Sequence, residues 1–299
     1  MFLQRKTSKS MKHYLDDVKR AAALVREADA VLVGVGSGAT AADGLCYTDP
    51  ALAEKWYPEY FAQGKHSIID IMSGFWPNTI SEHNAAAFWG FWARHIHHIR
   101  YEPGALQPYS DLFEILTGKK RFIITTNVDG QLEKAGFEKE NIFAPQGDYA
   151  LFQCAKPCSQ KVHENKAMVE TMLANMASPF EIRAMDVPHC PHCGGLLMPS
   201  LRCDYNYVET PHMQNAGRYE QFLTEASEGS LVLLELGVGF NTPGIIRLPF
   251  EAIARTFPAA TLVRVNRDNA TVWSGIGERA VCIEGDVKRV LGDLLTSRA

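Results

Sequence analysis

Apolar residues along this chain follow two spacings. Over residues 12–28, Leu15, Val18, Ala22 and Val25 recur at helical intervals among charged positions, which predicts an amphipathic helix. Residues 29–36 follow as a continuous apolar run ending in glycine, the pattern of a strand buried on both faces. The same grammar returns over 121–126, 230–237 and 261–266, and residues 287–295 predict a closing helix. Buried strands separated by helix-length segments imply a doubly wound α/β fold with a parallel sheet.

Two stretches break this rhythm. Residues 47–109 are dense in aromatics, among them Trp56, Tyr57, Tyr60, Phe88, Trp89 and Trp92, and residues 153–201 hold the close-spaced cysteines. Both read as insertions between sheet elements. The expected division is therefore a nucleotide-binding domain over 1–152 and 202–299, carrying the aromatic insert 47–109, and a small module over 153–201.

Composition narrows the class. An apolar fraction of 46% with 21% charged residues describes a globular chain, and a formal charge of −4 gives no reason to expect a nucleic-acid partner. Arg5, Lys6, Lys9 and Lys12 are not followed by the apolar stretch of a secretory signal, and no apolar run reaches the roughly 20 residues needed to span a bilayer. A cytoplasmic protein without membrane contact is the expectation. Seven cysteines in such a chain are expected to be buried, catalytic or metal-bound rather than paired as disulfides.

Four constellations could carry chemistry. The first is the run Gly34, Gly36, Ser37, Gly38, Thr40 and Gly44 after a predicted strand, where glycines let backbone amides approach a phosphate or simply form a tight turn. The second is Thr125, Thr126, Asn127 and Asp129 at a strand's carboxyl end, with Asp129 suited either to a ligand or to capping the next helix. The third is Cys154 with Cys158 and Cys190 with Cys193, two thiolate pairs suited to a structural tetrahedral zinc, with His163, His189 and His192 as substitute ligands. The fourth, His95, His97 and His98 beside Trp89 and Trp92, reads as an aromatic packing face with satisfied histidines rather than a metal site. Cys46, Cys203 and Cys282 read as small buried hydrophobes.

In this order the segments resemble the sirtuin family. Residues 36–45 are similar to its GAGxSxxSGI motif, residues 125–129 to its TQNID with Ala135 and Gly136 as the downstream AG, and the cysteine pairs fall where its zinc module sits. Gly237 to Gly239 stand at its GTS, Val265 and Asn266 at its IN, and Gly285 to Val287 where it closes on adenine. The resemblance covers about residues 30–295 and implies a Rossmann-type NAD domain with a small zinc-binding domain. It also implies that Asn127 and Asp129 hold the nicotinamide side of NAD, Gly36, Gly38 and Thr40 the pyrophosphate, and Gly237, Gly239, Asn266 and Asp286 the adenosine half. Ser37, Gly44, Leu45, Thr126, Gln146, Val238, Asn241, Arg267 and Val287 complete the implied contacts.

One departure redirects the implied chemistry. The family's catalytic histidine, in a His-Gly pair, is replaced by Gln146 before Gly147, and glutamine cannot take a proton near neutral pH. Glycosidic cleavage needs only an environment that stabilises the ribose and the leaving amide, which Asn127 and Asp129 can supply. The implied activity is thus transfer of ADP-ribose to a protein, with Asn127, Asp129 and Gln146 as its catalytic residues. This pattern is similar to the macrodomain-linked class M sirtuins, which implies a lipoylated carrier of the glycine-cleavage H type as acceptor and a functional link to a macrodomain protein. Lysine deacylation and a non-catalytic NAD-binding sensor are the rival readings.

Overall fold

The computed structural model describes residues 2–297, with side chains from residue 11; Arg5, Lys6 and Lys9 lie outside those described side chains. Six parallel strands form the main sheet: β1 (Ala30–Val35), β2 (Lys120–Thr125), β3 (Ile142–Phe143), and, after a three-stranded excursion, β7 (Leu231–Leu236), β8 (Ala260–Asn266) and β9 (Ala280–Glu284). Their order is β3-β2-β1-β7-β8-β9. The chain leaves β1 toward one edge and returns at β7 toward the other, so the crevice at the carboxyl ends of β1 and β7 is the topological switch point where open α/β sheets bind ligands.

Every residue of β1 and β7 is buried, as their dominantly apolar runs predict. One face packs on the N-terminal helix Phe2–Glu27 through Val18, Ala21, Ala22 and Val25, with Leu112 and Leu291. The other packs on Phe222, Phe250 and Ala254. The predicted strands and closing helix are present; β3 and β9 are additional edge strands that the apolar pattern did not show.

Within β7 the apolar run carries one charge. Glu235 and Arg264 of β8 are both fully enclosed and paired at 2.7 Å, and Arg264 also reaches Glu251 at 2.6 Å on helix Arg247–Thr256. Such a buried pair fixes the register of helix on sheet more than it adds stability.

The excursion is antiparallel, with β4 (Gly147–Cys154) between β5 (Val162–Glu164) and β6 (Leu197–Leu201). This sheet starts at Gly147 and shares one apolar cluster with the aromatic stretch. Trp56, Phe88, Trp89 and Trp92 pack with Phe152, Val169, Met172, Cys190 and Leu197. Helix Ala85–Ile96 is pressed against the module so closely that a Cβ on Gly90 would lie 2.1 Å from the Phe180 carbonyl oxygen. The two irregular stretches of the sequence thus form one lobe beside the sheet.

Candidate functional site

The site begins with three glycines. After β1 the chain turns at Gly36 into the short helix Ser37–Ala41, and Gly237, at φ +61°, crosses directly behind it. Gly38 donates its N–H to the Gly237 carbonyl at 3.0 Å, and a Cβ on Gly36, Gly38 or Gly237 would meet opposing backbone at 2.6–2.7 Å. The tight-turn reading of the glycines is therefore met by geometry. A Gly237→Ala substitution should cost about 2–3 kcal/mol, whereas Gly239→Ala, with open space around it, should be near neutral. Denaturant midpoints of the two variants check this.

Along the carboxyl edge runs a continuous cleft. Its central part encloses about 440 Å³ and is lined by Ser37, Gly38, Thr40, Leu45, Tyr47, Thr126, Asn127, Asp129, Tyr149, Asn241 and Arg267. One end continues past Gly237, Gly239, Asn266, Asp286 and Val287, the other branch past Gln146, Val238 and Thr242. The structure thus brings nearly all the expected cofactor residues onto one surface. Gly36 contributes backbone packing only, and Gly44, at φ +91° and with open space where a side chain would stand, serves the turn after the helix.

Asn127 is oriented by a directed chain of hydrogen bonds. Its Nδ2 donates to the Gly36 carbonyl at 3.1 Å and to the Tyr109 hydroxyl at 2.9 Å. Tyr109 lies 2.5 Å from Thr40 Oγ1, whose own proton goes to Asp129 Oδ2 at 2.7 Å, so Tyr109 donates to Thr40. The chain ends on a carboxylate, which fixes its direction and leaves Asn127 Oδ1, on the cleft side, without a hydrogen-bond partner among the described residues. Asp129 is only 6% exposed, and its Oδ1 accepts the Gln131 N–H at 3.1 Å. Burial pushes its carboxyl above the usual carboxylate range, with the Thr40 and Gln131 hydrogen bonds opposing. The N-cap of the helix Gln131–Lys134 is Gly130, and Asp129, one residue before it, holds the helix's first N–H and anchors the chain instead of projecting into open solvent.

Gln146 sits at the join between sheet and lobe. Its backbone carbonyl accepts the Arg202 N–H, while its side-chain Oε1 is buried with no partner among the described residues. Gln146 lines one branch of the cleft, and an unpaired buried oxygen there is a fit for a hydroxyl-bearing ligand, because leaving it unpaired costs about 1–3 kcal/mol.

The four paired cysteines converge. Cys154 and Cys193 sulfurs are 3.5 Å apart, Cys158 and Cys190 3.7 Å, and all four lie within 4.8 Å of one another. A zinc tetrahedron with Zn–S near 2.3 Å has edges of about 3.8 Å, so the donor set fits structural zinc. His163, His189 and His192 stand outside it.

Two readings of the remaining residues change. Cys46, Cys203 and Cys282 are partly exposed rather than buried, and Cys46 lines the cleft because the turn after Gly44 carries it over the helix Ser37–Ala41. Of the three histidines, His95 is a satisfied core residue as expected. His97 and His98 lie outside that packed core: a π-helical turn over His97–Tyr101 widens the helix and brings both to Glu102, at 3.9 and 2.6 Å. The residue that sequence reasoning missed is Tyr109, whose role no spacing announces because it sits at an ordinary apolar position of the helix Gln107–Ile115.

No family model matches the chain. It is 26% identical over 297 residues to a Staphylococcus aureus protein named "Protein ADP-ribosyltransferase", covering 94% of this chain and 89% of that one. It is 29% identical over 286 residues to a Fusarium oxysporum protein named "Probable bifunctional ADP-ribose hydrolase/ADP-ribosyltransferase", covering 90% of this chain but only 46% of the relative, so the chain spans about half of that protein's length. Among solved structures, a Sir2 enzyme superposes with TM-score 0.57 at 20% identity over 95% of this chain and 97% of its own, and a Sir2 bound to acetylated peptide with TM-score 0.56 at 16% identity over 93% and 97%. With its Rossmann-like strand order, its four-cysteine module between β4 and β6 and this likeness over nearly the whole chain, the protein has the fold of the Sir2 sirtuins.

Proposed function

We propose that the protein is an NAD-dependent protein ADP-ribosyltransferase that cleaves the nicotinamide glycosidic bond in the cleft at the carboxyl edge of the sheet. The observation that carries this reading is the pairing of a locked Asn127, its Oδ1 free toward the cleft, with the orphaned Gln146 Oε1 in place of a titratable base. NAD supplies the activated ribose. Asn127 Oδ1 and Gln146 Oε1 accept hydrogen bonds from hydroxyls, orienting the ribose and stabilising it as the bond breaks, and Asp129 holds Asn127 in place through Thr40 and Tyr109. Ser37, Gly38 and Gly237, held side by side by the glycine contact, line the stretch that receives the pyrophosphate, and Asn266, Asp286 and Val287 receive the adenosine end. The names of both curated relatives support transfer over deacylation.

The finer reading is a lipoylated carrier protein as acceptor, with a macrodomain protein reversing the modification. The printed name of the Fusarium relative, which joins an ADP-ribose hydrolase to an ADP-ribosyltransferase, supports a reversible mark. Incubation with NAD labelled in its adenylate half should label a lipoylated glycine-cleavage H protein and leave the unlipoylated carrier and acyl-lysine peptides unchanged. Loss of acyl groups from the peptides, with no label on any protein, would contradict the proposal.

A further inference from the structure

His95 plays no part in the chemistry above, yet it is fully enclosed in the lobe. Its Nδ1 lies 3.2 Å from the Tyr57 hydroxyl, and its Nε2 lies 3.1 Å from Tyr47 and 3.2 Å from Tyr149, whose hydroxyls are 3.4 Å apart. Among the described residues no carboxylate and no backbone group hydrogen-bonds to these four side-chain heads. Burial keeps the imidazole neutral, with its pKa pushed down to about 3, and keeps the phenols protonated, Tyr149 being pushed up to about 12.

Counting protons shows an excess. The cage holds four donors, three hydroxyls and one ring N–H. Tyr57 is fully enclosed and finds its hydrogen-bond partner only in Nδ1, so it donates there and the ring proton sits on Nε2. Nε2 then donates to one of Tyr47 and Tyr149, and only one of those two can donate to the other. One phenol proton is left with no acceptor inside the cage. Both tyrosines line the same cleft wall as Asn127, Tyr47 being the more exposed, and the surplus proton is directed there.

We propose that Tyr47 donates this hydrogen bond to the neutral carboxamide oxygen of the nicotinamide group, with His95 as the positioning residue that fixes the direction of the donor. The proposal rests on the NAD-cleaving reading above. An uncharged cage suits an uncharged oxygen, and Tyr47 lies away from the end of the cleft lined by Asp286 and Val287. When the glycosidic bond breaks, its electron pair returns to the ring nitrogen, the cationic ring becomes neutral nicotinamide, and the carboxamide oxygen becomes a better acceptor. The acceptor's lone pair forms the new bond to the anomeric carbon, and the proton it then releases passes to water. A donor fixed at that oxygen strengthens as the leaving group forms, which is the requirement for lowering the barrier.

The test is binding of nicotinamide and of thionicotinamide, whose sulfur is a poor acceptor, to the full chain saturated with ADP-ribose, measured by calorimetry. Wild type should prefer nicotinamide; Tyr47→Phe should weaken nicotinamide binding about five- to tenfold and leave thionicotinamide unchanged. His95→Phe, which keeps the ring volume, should flatten the same preference, and Tyr47→Phe decides the matter if that variant does not fold. Unchanged nicotinamide affinity in Tyr47→Phe overturns the proposal while NAD cleavage by wild type stands. Wild type that neither binds nicotinamide nor consumes NAD overturns both.

Discussion

Replacing Asn127 with alanine is expected to slow nicotinamide release from NAD by at least about a hundredfold, the scale on which single preorganised polar contacts act in catalysis, while lowering the melting temperature by only a few degrees. The asymmetry follows from where its hydrogen bonds go. Nδ2 is spent on the Gly36 carbonyl and Tyr109, an internal loss that water entering from the half-open cleft can repair, whereas the outward Oδ1 has no substitute. Asp129→Asn should give an intermediate loss, because an amide at that end can reverse the chain through Thr40 and Tyr109 and turn the Asn127 side chain over. Steady-state nicotinamide release and thermal melts of both variants check the pair. An Asn127→Ala protein with full turnover would remove this residue from the mechanism.

Loss of the zinc site should reach much further than its own knuckle. In a module built on four thiolates, metal binding is folding free energy, on the order of 10 kcal/mol for comparable structural sites. Here Cys154 and Cys190 belong to the same apolar cluster as Trp56, Trp89 and Trp92. Cys190→Ser is therefore expected to abolish zinc retention, to collapse the near-ultraviolet circular dichroism of those tryptophans, and to abolish activity, since Tyr47, Tyr149 and Gln146 all depend on the lobe. The main sheet has its own clusters on both faces and should keep its far-ultraviolet signal. Metal content together with the two spectra decides this, and a Cys190→Ser protein with native tryptophan ellipticity would contradict the shared core.

The parts legible in the sequence are those governed by local periodicity. The apolar run of β1, and that of β7 but for Glu235, announce strands buried on both faces, and the paired cysteines announce a tetrahedral site through spacing alone. What the sequence did not reveal depends on contacts between distant segments. Nothing near Tyr109 says that its hydroxyl meets Thr40, 69 positions away, and Asn127. The His95 cage draws on positions 47, 57 and 149, which only the merging of insert and module brings together. The edge strand β3, two residues long, is too short for any period to register. The π-helical turn that gathers His97 and His98 on Glu102 arises from one widened turn, which helical spacing rules do not anticipate.

Electrostatics sharpen the functional reading. With Gln146 unable to titrate, His95 locked neutral and Asp129 turned inward onto Thr40, the cleft offers hydrogen bonds where a deacylase needs a base. Such an arrangement can still break the glycosidic bond of NAD by orientation and charge stabilisation.

The central claim is tested most directly by quantifying, in one reaction with a lipoylated carrier protein, the nicotinamide released from NAD and the ADP-ribose linked to protein by mass spectrometry. Wild type should yield the two in equal amounts over the first turnovers, and Asn127→Ala should yield neither. NAD left intact by the wild-type protein would contradict the account, leaving a module that binds the dinucleotide without cleaving it.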